Sequence, residues 1–203
     1  GSGAVFFSVQ PRNAILSDSN RELVGAYRAL QTQHKGGEKY LLQHHELHSE
    51  THYYAVRDKI PETFAQRAAR FIYLNRTCWN GLYRVNLDGR FNVPIGTKTA
   101  VIMDSDDFEV ISHSLRSADI SHADFEASIN KAAEGDVVFC DPPYTVRHNR
   151  NGFVKYNETL FSWADQIRLR DAALAARDRG ARIFITNADH ASIRELYERH
   201  FQI

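Results

Sequence analysis

The 203 residues include only two cysteines, five prolines, two tryptophans and one methionine. Cys78 and Cys140 stand in no metal or redox spacing. That excludes a disulfide-stapled scaffold or a zinc ribbon and fits a reducing, cytoplasmic setting. The formal net charge is zero, so no whole-chain field of one sign draws a polyanion or an anionic surface. No apolar run reaches the roughly 18 residues of a membrane span. No signal peptide opens the chain, and no repeat or low-complexity tract interrupts it. A 43% apolar fraction can build a core, as one large domain or one domain with an inserted lobe.

Because prolines are few, their placement is informative. Two are adjacent, in Asp141-Pro142-Pro143-Tyr144, directly after the apolar run Val137-Val138-Phe139-Cys140. Four apolar residues without alternation suit a parallel strand buried on both faces. Ligands of such sheets bind beyond the carboxyl ends of the strands, which is where Asp141 falls. The prolines fix two φ angles and remove two N–H donors. What remains is a row of acceptors, the Asp141 carboxylate and nearby carbonyls, beside the flat ring of Tyr144. Such a pocket suits an exocyclic amino group on a planar heterocycle: the acceptors draw the nitrogen out of conjugation and leave its lone pair able to attack an electrophile. On its own, Pro-Pro also fits a turn with Tyr144 in the core.

Charge is unevenly spread. Residues 57–98 hold eight basic and three acidic residues, and residues 100–141 two basic and ten acidic. A basic segment beside an acidic one fits a phosphate-facing surface, and equally two solvated faces. Within the basic segment, Asn75-Arg76-Thr77-Cys78-Trp79-Asn80-Gly81-Leu82-Tyr83-Arg84-Val85-Asn86 leads on to Phe91-Asn92-Val93-Pro94-Ile95-Gly96. Asn, Gly and Arg with interleaved aromatics read as a hairpin that can offer Arg to a guanine edge and an aromatic as a wedge, or as a hairpin with Trp79 in the core.

At the start of the chain, Gly1-Ser2-Gly3-Ala4-Val5-Phe6-Phe7 reads as a glycine turn entering a helix, although Gly-Ser-Gly is also what an expression tag leaves behind. Ala14–Ser17 reads as a strand ending at Asp18, placed to accept ribose hydroxyls. A helix is expected over Arg21–Gln31, broken by Gly36-Gly37, with Asp18 or Asn20 as its cap. His44, His45, His48 and His52 lack a third ligand of clear spacing; an exposed polar helix or loop is expected there, and no metal. Pro61 suits a first helical residue. A strand is expected over Thr99–Met103, a helix over Phe108–Leu115, and a strand then a turn over Asp119–Phe125. A polar loop follows Tyr144 with Phe153, Tyr156 and Phe161. Ser162 with Asp165 then opens a helix closed by Gly180, ahead of a strand over Arg182–Thr186 and a short helix.

The Asp-Pro-Pro-Tyr motif resembles that of S-adenosylmethionine-dependent amino-group methyltransferases. With the Asn75–Gly96 stretch, most of the chain resembles the Dam-type DNA adenine-N6 methyltransferases. The resemblance implies an α/β fold: a Rossmann-like sheet formed by residues 1–50 and 99–203, with an inserted helical and hairpin target-recognition lobe at 51–98. It implies Asp141, Pro142, Pro143 and Tyr144 as the catalytic motif, with Tyr144 and Tyr156 lining the target-base pocket. For S-adenosylmethionine it implies Gly1, Gly3, Ala4, Val5, Phe6, Asp18, Asp124, Phe125 and Asp141, while Asp124 also reads as a helix cap. For double-stranded DNA it implies Arg76, Trp79, Asn80, Leu82, Arg84, Asn92 and Pro94, with Trp79 inserting and Arg84 reading guanine in a GATC-like site. Substrates in RNA or on glutamine amides, and a non-catalytic DNA-binding remnant, stay as alternatives. It further implies a strand before Gly1 and a hairpin after Ile203, so that residues 1–203 alone are expected to be marginally stable and inactive.

Overall fold

The computed structural model describes residues 2–86, 89–147 and 161–203. The chain forms two compact units, residues 1–122 and 123–203.

In the first unit, a short helix α1 (Ala4–Val9) leads to strand β1 (Ala14–Asp18) and the long helix α2 (Arg21–Glu46). Asn20 caps α2 by accepting from the Glu22 and Leu23 N–H groups, and Asp18 Oδ1 in turn accepts the Asn20 N–H at 2.7 Å. Helix α2 does not stop at Gly36-Gly37 as expected: it kinks at Gln33 and continues to Glu46. The reason is packing. A Cβ on Gly36 would lie 3.2 Å from the Ala65 Cβ, so the glycine lets α2 approach helix α4 (Phe64–Thr77), whose Ala65, Ala68 and Ala69 are buried. Close tertiary contact has overridden the weak helix propensity of glycine. Between them lies α3 (Glu50–Asp58). Helix α4 is capped by Thr63 rather than begun by Pro61, whose carbonyl instead accepts from Arg67 Nε at 2.7 Å.

Helix α5 (Phe108–Leu115) forms as expected, followed by β2 (Ala118–His122), which pairs parallel to β1 from Ala14 with Ala118 to Asp18 with His122. The expected strand at Thr99–Met103 is absent; that segment is irregular, with Val101 fully buried and its carbonyl accepting from Arg76 Nη1 at 2.7 Å. The core of this unit joins Phe6, Val24, Leu41, Tyr53, Tyr73, Leu74, Val101, Leu115 and Ile120.

In the second unit, α6 (Phe125–Ile129) precedes β3 (Val137–Cys140), and α7 (Trp163–Asp178), β4 (Arg182–Ile185) and α8 (Ala191–Tyr197) complete the order. Strands β3 and β4 pair parallel, Val137 with Arg182 through Cys140 with Ile185. Val138, Cys140, Ile183 and Ile185 pack on Leu169, Ala172 and Ala176 of α7. The expectation of a strand buried on both faces is corrected: Val137 is 64% and Phe139 44% exposed. Side chains alternate across a strand, so the helix packed on this pair covers the Val138 and Cys140 side alone. Ser162 forms the expected capping box with Asp165.

Candidate functional site

The strand end comes first. Asp141 follows β3 directly and is exposed. The ladder runs one residue past β4, with the Thr186 N–H donating to the Cys140 carbonyl at 3.0 Å. This brings the Thr186 hydroxyl onto Asp141 Oδ1, to which it donates. Tyr144 is 48% exposed, so its ring is available for stacking and the reading that buries it is set aside. The next residue turns inward: Thr145 is fully buried and its hydroxyl donates to the Phe161 carbonyl at 2.6 Å.

Beneath the loop lies a buried amide network that sequence reasoning missed. Gln166 of α7 is fully buried, and its Nε2 donates to the Thr145 carbonyl at 3.1 Å. It pairs reciprocally with Asn187, which donates to Gln166 Oε1 at 3.1 Å. The Tyr197 hydroxyl donates to the same oxygen at 3.3 Å. No local signal marks Gln166 in a polar, alanine-rich helix; its role depends on partners 21 and 31 positions away. Burial pushes the Cys140 thiol up to about 11, which keeps it protonated and removes it as a nucleophile.

The residues expected to hold the cofactor fall in both units. In the first, Gly3 has φ +68°, and a Cβ there would lie 3.0 Å from the Tyr27 hydroxyl and 3.1 Å from the Phe7 ring. Only glycine suits this turn, for both reasons. Tyr27 OH donates to the Ser2 carbonyl at 2.7 Å, and burial followed by the Asp18 charge raises its pKa. Gly3, Tyr27 and Asp18 therefore share one neighbourhood. Phe6 is buried, while Ala4 and Val5 are exposed. Gly1 lies outside the described residues. In the second unit, Asp124 caps α6 through the Glu126 N–H and also meets Arg168 Nη2 at 2.9 Å. The Arg168 guanidinium lies 4.9 Å from the centre of the Phe125 ring. Of the two readings of Asp124, the helix cap is present, with an ion pair to Arg168 beside it. Tyr156 and Phe153 lie outside the described residues.

The Asn75–Gly96 stretch forms a hairpin-like loop. Backbone pairing joins Trp79 N–H to the Pro94 carbonyl at 2.9 Å, Gly96 N–H to Thr77 at 2.7 Å and Asn86 N–H to Arg90 at 2.8 Å. Gly96 makes this closure possible, since a Cβ there would lie 2.5 Å from the Cys78 carbonyl oxygen. Asn80 occupies the left-handed region at φ 54°, which Asn tolerates better than most residues. One side of the loop is anchored. The Tyr83 ring packs between Phe71 and Phe91 at 5.0 and 5.2 Å, and its hydroxyl donates to Glu22 at 2.8 Å. Fully buried Tyr53 donates to the Val93 carbonyl at 3.0 Å. The other side is open: Trp79, Asn80, Leu82, Arg84, Asn92 and Pro94 are all exposed, with Trp79 at 53%. Arg84 Nε donates to Asn92 Oδ1 at 3.4 Å across the loop.

Arg76, expected on the same surface, is held inside the protein. Its guanidinium forms a two-pronged pair with Asp106, one arm at 2.7 Å, besides its bond to Val101. Burial pushes the Asp106 carboxyl up, but the Arg76 bonds outweigh it and hold its pKa below the ordinary value. The sequence shows only that Arg76 belongs to a basic stretch; its partner is 30 positions away. Arg70 is likewise buried, donating to the carbonyls of Val56 and Arg57. The basic surplus of residues 57–98 is thus partly structural.

His45 is exposed as expected, but His44, His48 and His52 gather around Tyr73. His44 stacks on Tyr73 at 4.9 Å and lies 3.0 Å from His52, while His48 bonds the Tyr73 hydroxyl at 2.9 Å. Burial, then the His52 charge, lowers the His44 pKa to about 4. Among the described residues no group of three His, Cys, Asp or Glu could hold a metal ion, and no helix is long and apolar enough to cross a membrane.

The second unit thus carries a carboxylate at the end of a parallel strand, with two prolines and an open tyrosine after it, in a chain of mixed helix and strand. The chain belongs to the D12 class of N6 adenine-specific DNA methyltransferases, whose family pattern matches residues 1–203. It is 35% identical to a type II methyltransferase of Lactococcus lactis subsp. cremoris, over 98% of this chain and 73% of that protein. It is 36% identical to the DNA N-6-adenine-methyltransferase of Escherichia phage P1, over 97% of this chain and 27% of that much longer protein. The DNA adenine methylase of Escherichia coli (strain K12) is 30% identical over 98% of this chain and 73% of its own length.

Proposed function

We propose that this adenine-specific enzyme takes its methyl group from S-adenosylmethionine and transfers it to an adenine turned out of a duplex at a GATC-like site. The observation that carries the reading is the pairing of two features. One is a fixed acceptor, Asp141, at a strand end. The other is a hairpin that presents Trp79, Asn80, Leu82, Arg84, Asn92 and Pro94 on one exposed side while its tyrosines anchor the other.

On this reading Arg84 reads guanine in the major groove, Trp79 inserts at the extruded base, and Asn80, Leu82, Asn92 and Pro94 line the contact. Arg76, paired with Asp106 and bonded to the Val101 carbonyl, ties the end of α4 to the segment after the hairpin. Asp141 and the Pro142 carbonyl accept from the adenine N6 amino group, and Tyr144, with Tyr156, holds the ring. Acceptors at the amino hydrogens favour the pyramidal nitrogen, whose lone pair attacks; the proton is lost after transfer. Positioning and fixed dipoles supply the rate enhancement.

The donor fits the residues present. The positive φ at Gly3 supports a glycine turn there, and Asp18, at the end of β1, is assigned to the ribose hydroxyls. When bound, the cofactor supplies an electrophilic methyl group on a sulfonium. Asp124 and Phe125 are assigned to its adenine. The fold in this reading is a Rossmann-like methyltransferase sheet with a recognition lobe at residues 51–98, supported by two parallel strand pairs, each beside a helix. The test is sequencing of DNA from a methylation-free host that expresses the enzyme. N6-methyladenine confined to GATC is expected; modification at an unrelated site, or none with cofactor supplied, overturns the assignment.

A further inference from the structure

We propose that the consecutive residues Thr186 and Asn187 form a clamp that positions the Asp141–Thr145 loop, Thr186 at its head and Asn187, through Gln166, at its tail. This rests on Asp141 being the amino-group acceptor, as proposed above.

The loop needs such anchors because Pro142 and Pro143 have no N–H to donate. It must be held at its two ends. At the head, the Thr186 N–H bonds the Cys140 carbonyl at 3.0 Å and the Thr186 hydroxyl donates to Asp141 Oδ1. With Oδ1 engaged, the carboxylate is fixed in orientation and Oδ2 is left to face an amino group. Threonine is stiff at χ1, so its hydroxyl is aimed by the backbone of the strand end.

At the tail, every bonding position of the Gln166 amide is filled. Nε2 donates to the Thr145 carbonyl at 3.1 Å and to Asn187 Oδ1 at 3.3 Å. Oε1 accepts from Asn187 Nδ2 at 3.1 Å and from Tyr197 OH at 3.3 Å. Asn187 Oδ1 also accepts the Ala188 N–H at 2.9 Å, which fixes that side chain. Gln166 is fully buried, so moving Thr145 would leave a buried donor unpaired. A fully satisfied buried network of this kind admits one loop geometry. Two adjacent residues thereby register both ends of the loop against one strand end.

The test compares Thr186→Val, Thr186→Ser, Asn187→Ala, the Thr186→Val/Asn187→Ala double variant and Asp141→Ala in the full-chain enzyme. The measured quantities are kcat and KM on unmethylated DNA, DNA affinity and the thermal midpoint. Thr186→Val is expected to lower kcat on the order of ten- to a hundredfold, with KM, DNA affinity and midpoint close to wild type, because a bond to a charged group is lost. Thr186→Ser should restore most of kcat. The double variant should lose less than the product of the single losses, since both act on one loop. Wild-type kcat in Thr186→Val beside an inactive Asp141→Ala overturns the clamp and leaves the Asp141 reading intact. If Asp141→Ala itself turns over normally, that reading fails and the clamp fails with it. Should Thr186→Val not fold, Thr186→Ala replaces it, and a kcat loss that Thr186→Ser does not restore counts against the clamp. Independent, multiplicative losses in the double variant would reduce Asn187 to a stability residue.

Discussion

The Asp141–Thr145 loop and the Asn75–Gly96 hairpin are held in different ways. The first is fixed by polar bonds to its ends: Thr186 on Asp141, and Gln166 on Thr145. The second is fixed by tyrosines beneath it that both pack and bond: Tyr83 lies between Phe71 and Phe91 and donates to Glu22, and Tyr53 donates to the Val93 carbonyl. Directional bonds set the orientation of one carboxylate, which is what attack at a single nitrogen requires. Aromatic anchors hold a surface in place and leave the outward side chains free to meet a groove. In the function proposed above, the first kind of support serves the chemical step and the second the recognition surface.

The comparison breaks most sharply at Asp141. Asp141→Ala should lower the methylation rate on the order of 10²–10³-fold or more while DNA affinity stays near wild type. Single-turnover rates beside a binding titration check both halves, and normal turnover would remove Asp141 from the mechanism.

A second substitution attacks the hairpin through its backbone. Gly96→Ala places a Cβ 2.5 Å from the Cys78 carbonyl oxygen. Overpacking of this kind costs about 1–3 kcal/mol. DNA affinity and the thermal midpoint should both fall, and unchanged values would mean the loop closes differently.

Arg84→Ala tests the outer side alone. Discrimination at one G·C pair should relax by roughly 1–3 kcal/mol, read from kcat/KM on singly substituted duplexes. Equal losses on every sequence would make Arg84 a phosphate contact. Tyr83→Phe tests the inner side: it removes the bond to Glu22, and stability should drop by about 1 kcal/mol with sequence preference unchanged.

The effect expected to be smallest at neutral pH is a pH dependence seated in the histidine cluster at Tyr73. His44, lowered to about 4 by burial, stays neutral in the folded state where the unfolded chain takes up a proton near 6.5. The unfolded state therefore binds more protons between those values, and stability falls as pH drops from about 6.5 toward 4, with no contribution above. His44→Gln should flatten that part of a midpoint-against-pH curve. An unchanged slope would assign the loss to other groups.

Much of this molecule was legible before its structure. Asp-Pro-Pro-Tyr after an apolar run placed an acceptor at a strand end, because prolines and β-branched residues constrain backbone locally. The cap at Asn20, the capping box at Ser162 and the parallel strand at Val137–Cys140 were legible for the same reason: each depends on neighbours within a few positions. Three matters were decided only by tertiary structure. Gly36 continues a helix because Ala65 packs against it, and Arg76 is drawn inward because Asp106 waits there. Gln166 underlies the Asp141–Thr145 loop because Asn187 and Tyr197 complete its amide. In each case the deciding partner is more than 20 positions away along the chain. Propensity and spacing carry no record of such partners, which meet only when the core forms.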